Sequence, residues 1–400
     1  MFCAAASTVR KRTASWSPPD APSLVFDKQE NTMSVEFIGF IGNHNASETI
    51  ARQGPVIDRD FIRASAAIHE AAGFDRVLLA FHSSTPDSLF VGQYVASVTR
   101  RLKLMLAHRP GFTAPTLAAR QLATLDHLTD GRIAVHIITG GNDRELEQDG
   151  DWLTKDERYA RTREYLDIVR QEWSSETPFD YHGDYYRVKG ALSDIKPTGP
   201  EGIPVYFGGS SPAAIDVAGQ HADVYALWGE TYDQVAQTIA AVRASAARHG
   251  RKPRFSLSLR PILAETEDAA WAKAARILEQ AKALRATGGE PRLVNKLNPG
   301  QPQNEGSRRL LAAAAQGARL DKRLWTEIAA LTGANGNSTS LVGTPDQVAE
   351  AMLDYYRLGI STFLIRGFDP LTDALQYGRE LIPRVRALVA SELTSSHAAE

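Results

Sequence analysis

The chain has 400 residues, 43% hydrophobic and 23% charged, and its 45 basic and 47 acidic side chains leave a formal charge of −2. That balance excludes bulk attraction to nucleic acid or an anionic membrane. One cysteine, Cys3, excludes an internal disulfide framework and any cysteine-based metal site. With no apolar run near the roughly 18 residues of a membrane span, the expectation is a cytoplasmic α/β protein with a sizeable core.

Residues 1–32 read as a disordered extension: Arg10, Lys11 and Arg12 precede any acid, Ser17-Pro18-Pro19-Asp20 is loop-like, and Met33 is a natural start. From Val35, short apolar runs bounded by turn residues alternate with stretches of 3.6-residue periodicity. The runs predict strands at Val35–Ile41, Arg76–Ala80, Leu102–Ala107, Ile133–Ile138, Pro204–Phe207, Val224–Leu227, Phe255–Leu263 and Thr362–Ile365. Helices are expected at Asp58–Ala72, Asp87–Thr99, Ala114–Leu128, Lys155–Trp173, Pro212–Gln220, Tyr232–His249, Glu267–Ala283, Pro345–Leu358 and Thr372–Ala390. Residues 394–400 read as a fraying tail.

Eight strands, each followed by a helix, predict a closed (β/α)8 TIM barrel over 33–393. No first turn carries the glycine fingerprint of an open dinucleotide-binding sheet. Two segments interrupt the alternation. Residues 179–197 read as an inserted hairpin. Residues 284–338, rich in Gly, Pro, Asn and Gln and carrying Arg285, Arg292, Lys296, Arg308 and Arg309, read as a mobile lid insertion after the seventh strand.

In such a barrel, chemistry sits at the carboxyl ends of the strands. Those ends read Gly42-Asn43-His44, Phe81-His82-Ser83-Ser84, His108-Arg109-Pro110-Gly111, Thr139-Gly140-Gly141-Asn142, Gly208-Gly209-Ser210-Ser211, Trp228-Gly229-Glu230, Arg260-Pro261 and Arg366-Gly367-Phe368. None clusters acids and histidines at metal spacing, so no metal is expected. No strand-end lysine offers a Schiff-base nucleophile. The run Gly208–Ser211, between a strand and a helix, combines close backbone approach, serine donors and a helix N-terminus, which together favour an anion. His82 is the best acid–base candidate, its ordinary pKa lying near neutrality. Arg260 and Arg366, ending neighbouring strands, could clamp a carboxylate, sulfinate or sulfonate, or pair with a mouth acid such as Glu230 or Asp369. His136, within its strand, reads as a core or interface residue.

The ordered set Arg109-Pro110, Ala114-Pro115-Thr116, Ala118-Ala119-Arg120, Ala123-Thr124-Leu125-Asp126, Thr139-Gly140, Glu157-Arg158-Tyr159, Tyr206-Phe207-Gly208-Gly209-Ser210-Ser211, Trp228-Gly229-Glu230 and Leu341-Val342-Gly343 resembles the flavin-dependent monooxygenases of the bacterial luciferase superfamily. It is most similar to their alkanesulfonate monooxygenase group, and the resemblance spans about residues 35–389. It implies reduced FMN, supplied by a separate NAD(P)H:flavin reductase, and O2 oxygenating a small, organosulfur substrate through a flavin peroxide. It implies that Gly208, Gly209, Ser210, Ser211 and Tyr159 hold the FMN phosphate and ribityl chain, that Thr139 and Gly140 lie along the ring, and that Ala80 belongs to the same cofactor set. Trp228 is kept on the substrate side, beside His82, Arg260 and Arg366. A homodimer or homotetramer is implied as well. Several positions depart from the sulfonate pattern: Thr85 stands for a cysteine, Ser258 and Arg260 for an arginine and a histidine, and Phe368 for a tyrosine. The lid's Gly333–Ser338 carries no arginine. The other readings are a deazaflavin-dependent dehydrogenase of the same fold and a non-catalytic flavin-binding barrel.

Overall fold

Strand and helix alternate from Glu36 to His397 in the computed structural model, which describes residues 34–289, 302–334, 336 and 338–397. The expected extension with Cys3, and Arg292 and Lys296 of the insertion, lie outside the described residues. Eight parallel strands close into a barrel: β1 (Glu36–Phe40), β2 (Arg76–Leu79), β3 (Lys103–His108), β4 (Ile133–Ile137), β5 (Val205–Gly208), β6 (Val224–Trp228), β7 (Arg254–Leu259) and β8 (Ile360–Ile365). The covering helices are α1 (Arg59–Ala71), α2 (Ser88–Ser97), α3 (Pro115–Leu128), α4 (Lys155–Ser174), α5 (Pro212–His221), α6 (Tyr232–Ala247), α7 (Glu267–Ala286), α8 (Pro345–Arg357) and α9 (Ile382–His397). The expected barrel is the observed one.

Both faces of each strand are covered, which is why the strands read as continuous apolar runs. One face packs under the helices: Leu104 and Leu106 of β3, Leu257 and Leu259 of β7, and Phe363 and Ile365 of β8 all belong to the main core. The register places the alternate residues inside the barrel. There they form tiers. At the amino end, Glu36 accepts from Arg76 Nε at 3.1 Å and from the Tyr206 hydroxyl at 3.2 Å. Above it, Ile38, Met105, Ala134, Tyr206, Val224 and Leu364 pack into an apolar plug. The inward residues above it are short: Ala107, Gly208, Ala226, Ser256 and Ser258, interrupted by Phe40 and His136.

Helix starts carry their own signals. Asp58 caps α1, and Thr154, Thr231 and Thr344 form reciprocal capping boxes with Glu157, Gln234 and Gln347, the last with Pro345 in the first turn. The 179–197 hairpin is present as Phe179–His182 paired antiparallel with Arg187–Ala191.

Three boundaries differ from expectation. The predicted strand Phe255–Leu263 is two strands, because Pro261 has no N–H to continue the ladder. β7 ends at Leu259, and Ile262–Leu263 leaves the barrel to pair with Ser340–Gly343. The insertion is built rather than loop-like in its described part. It contains a helix Glu305–Ala314, a tight hairpin Arg319–Leu320/Leu324–Trp325 that completes a four-stranded sheet, and a helix Glu327–Thr332. Ile262, Trp325, Ile328, Val342 and Phe368 give it a second core against α7. Finally, α9 runs to His397, into the expected tail.

Candidate active site

The loop from β5 to α5 is the most constrained part of the mouth. Gly209 lies at φ +133°, and a Cβ there would come within 2.9 Å of both the Tyr159 hydroxyl oxygen and Ala214 Cβ. Glycine is therefore required by conformation and by space. Ser211 caps α5, its Oγ accepting from Ala214 N at 3.3 Å, and Pro212 fills the first helical position. Tyr159 enters from α4, buried, with its hydroxyl against Ser211; burial raises its pKa, so it stays a proton donor. The Tyr225 hydroxyl donates to Gly209 O and holds the loop to β6. Ser210 is half-buried at the tip. The result is a cradle of neutral hydroxyl and amide donors at a helix N-terminus, with no room for a side chain. That donor set fits a phosphate group.

Beside it, Thr139 lies two residues past β4, buried, its Oγ1 3.4 Å from Thr162 Oγ1. Gly140 follows against Leu146, and Ala80 is half-buried just past β2. The short inward side chains lie below these positions. His136 sits among them; burial lowers its pKa to about 4, so it is neutral.

Charged side chains rim the mouth in three groups. Glu48, on the loop after β1, spans the two expected anion-clamp arginines. Arg260 Nη2 donates to its Oε2 at 2.7 Å and to Gly367 O at 2.9 Å, while Arg366 Nη2 lies 3.3 Å from Oε1. Arg260 is fully buried, its guanidinium 3.6 Å from the Phe368 ring centroid. Burial would raise the Glu48 pKa, but Arg260 and Arg366 outweigh it and hold the carboxyl at about 2. Burial and Arg260 lower Arg366 to about 10. Neither expected partner is used: Asp369 caps a turn, accepting from Thr372 N, and Glu230 belongs to the second group.

That group is a two-pronged contact from Arg309 of the insertion to Glu230, at 2.8 Å from Nε and 2.6 Å from Nη2. It seats helix Glu305–Ala314 on the mouth, where Trp228 packs beside Gly306 and the Leu310 cluster. In the third group, Glu145 sits on a single helical turn after β4. Its Oε1 accepts from Arg109 Nη2 at 2.8 Å and Ser83 N at 3.1 Å, and lies 3.6 Å from His82 Nδ1. The structure thus brings His82, Trp228, Arg260 and Arg366 to one rim with the cofactor-type residues. Glu48 and Glu145 are additions that no local motif announced; Arg309 was visible only as one of the insertion's basic residues.

Residues 35–362 match the luciferase-like monooxygenase family. The chain belongs to that family. Its fold is shared with a riboflavin lyase structure holding modified FMN and riboflavin, at TM-score 0.72 and 20% identity over 88% of this chain and 92% of that one. A long-chain alkane monooxygenase aligns at TM-score 0.70 and 20% identity, covering 89% and 92%. An F420-dependent secondary alcohol dehydrogenase aligns at 0.64 and 17%, covering 88% and 99%. As a luciferase-like oxidoreductase, the chain keeps its polar residues where the family's fold places chemistry. Among the described residues, no three histidines or acids gather to hold a metal, and no helix is long and apolar enough to cross a membrane.

Proposed function

We propose that this chain is a two-component FMN-dependent monooxygenase, oxygenating a small organosulfur compound with reduced FMN and O2. The observation that carries the reading is the Gly208–Ser211 cradle with Tyr159, set over short inward side chains. Reduced FMN, when bound, supplies the two electrons that split O2 between substrate and water. Gly209 and the start of α5 hold its phosphate, and the Tyr159 hydroxyl donates a hydrogen bond beside it. Thr139, Gly140 and Ala80 line the ring. The insertion, tied down by Arg309 and Glu230, excludes water from the mouth. Arg260 and Arg366, already shared with Glu48, fix that wall of the pocket. The organosulfur class rests on the ordered motifs shared with the alkanesulfonate group, and carbon–sulfur cleavage follows from it. A separate NAD(P)H:flavin reductase, homodimeric or homotetrameric assembly and a cytoplasmic location belong to the same proposal.

The test is tryptophan fluorescence quenching by FMN, followed by oxygen uptake with reduced FMN against sulfonates, sulfones and carboxylated thioethers, reading sulfite release. Micromolar FMN that leaves the emission unchanged and drives no oxygen consumption overturns the reading. The likeness to an F420-dependent dehydrogenase supports a second reading, hydride transfer to or from a deazaflavin. Reduction of F420 by an alcohol without oxygen uptake would establish that reading instead.

A further inference from the structure

We propose that His82 and Glu145 form a proton-handling pair, in which Glu145 is the positioning residue and His82 Nε2 exchanges a proton with the bound reactants. The inference deepens the oxygenase reading and rests on it for the reaction served, but not for the geometry. The two residues come from different strand ends, 63 positions apart in sequence, and meet only because β2, β3 and β4 are consecutive barrel neighbours.

Glu145 is unusually well held for a loop carboxylate. Asn142 Oδ1 accepts its backbone N–H at 3.1 Å, and its side chain is almost fully buried. Its contacts converge on one oxygen, Oε1: Arg109 Nη2 at 2.8 Å, Ser83 N at 3.1 Å, Ser83 Oγ at 3.4 Å and His82 Nδ1 at 3.6 Å. Arg109 is fixed in turn between the rings of Phe81 and Phe112, 5.5 and 5.6 Å from their centroids, and donates from Nη1 to Ser83 Oγ at 3.1 Å. Burial raises the Glu145 pKa, yet His82, Arg109 and Ser83 bring it down to about 2, so the carboxylate is ionised throughout the neutral range. Arg109 is the cation paired with Glu145, and the nearby Asp143 is engaged by Arg158 at 2.7 Å.

A fixed carboxylate facing Nδ1 selects the tautomer that carries its proton there. His82 is otherwise about half exposed, at 47% of its side chain, so Nε2 is the nitrogen left for a reactant. In the step assigned, the Nε2–H bond of the imidazolium breaks as an O–H bond forms on a reactant oxygen, and solvent returns the proton. No electron moves and no other bond changes. Glu145 keeps Nδ1–H in place in both states.

The experiment is NMR of ring-labelled histidine in the full chain, with the His82 signal assigned by its loss in His82→Asn. The wild type is expected to show the Nδ1–H tautomer. In Glu145→Gln, the preference for the Nδ1–H tautomer should weaken, because the carboxylate charge facing Nδ1 is lost while Arg109 remains. Glu145→Asp should restore most of that preference, and unchanged thermal melting of Glu145→Gln guards against a misfolded glutamine variant. In stopped-flow oxidation of reduced FMN, His82→Asn and Glu145→Gln should each move the same limb of the pH profile, and the double variant should be no worse than His82→Asn. An Nε2–H tautomer in the wild type, or a tautomer balance indifferent to Glu145→Gln, overturns the pair. The NMR readouts need no flavin, so they stand apart from the oxygenase reading: failure of FMN to bind would overturn that reading alone.

Discussion

Glu48→Gln tests whether the loop carboxylate holds the two mouth arginines together. The carboxyl sits at about 2 against an ordinary 4.5, which corresponds to about 3 kcal/mol of stability at neutral pH. The loss expected on breaking a buried pair by removing one partner, about 3–5 kcal/mol, agrees in size. For a chain of this length the melting temperature should drop by about 4 °C. The sign follows from linkage. The folded pKa is depressed, so the contribution is complete above the unfolded value near 4.5 and is lost as pH falls toward 2. Urea titrations of both proteins at pH 7 and pH 3 should therefore show a wide gap at pH 7 that shrinks to less than half at pH 3. In Glu48→Ala, acetate should recover part of the loss by occupying the vacated position, because it binds the folded state alone. A variant within 0.5 kcal/mol (about the error of such titrations) of wild type at pH 7, or a gap that does not shrink in acid, refutes the reasoning.

Gly209→Ala forces a Cβ into a position 2.9 Å from the Tyr159 hydroxyl oxygen at a backbone angle that disfavours it, and should weaken FMN binding at least about tenfold by fluorescence titration. Arg309→Ala leaves Glu230 buried without its partner and should speed proteolysis of the insertion while raising hydrogen peroxide release per reduced FMN consumed; unchanged cleavage and peroxide yield would show that the contact does not seat the lid. His69, His108 and His136 are held neutral by burial, with pKa values of about 4, and His221 with a value of about 3. Unfolding lets them protonate at the ordinary 6.5, so stability should decline as pH falls from about 6.5 toward 4, with up to about four protons taken up on unfolding near pH 5. Proton uptake well below one at pH 5 would contradict those buried states.

The barrel was legible because strands covered on both faces leave continuous apolar runs, and because caps such as Thr344-Pro345 mark helix starts locally. The cradle was legible for a related reason: glycines and serines at a strand-to-helix turn have a local physical cause. What the sequence hid was long-range. Glu48 meets Arg260 across 212 positions and Glu145 meets Arg109 across 36, so no spacing rule relates them. The exit of the chain from the barrel at Pro261 was masked by the apolar Ile262–Leu263, which pairs with Ser340–Gly343 instead. The helices of the insertion were hidden by the Gly- and Asn-rich stretches around them, although Leu310 and Ile328 are fully buried.

The apolar plug from Ile38 to Leu364, with Glu36, Arg76 and Tyr206 beneath it, closes one end of the barrel. Such a vessel has a single doorway. Whatever lies deepest must enter first and depart last, and two occupants cannot exchange places without one stepping out. In the two-component reading, turnover should then follow a compulsory order of arrival. Its kinetic trace would be competition between the outer ligand and the departure of the inner one, visible as inhibition when the outer ligand is in excess.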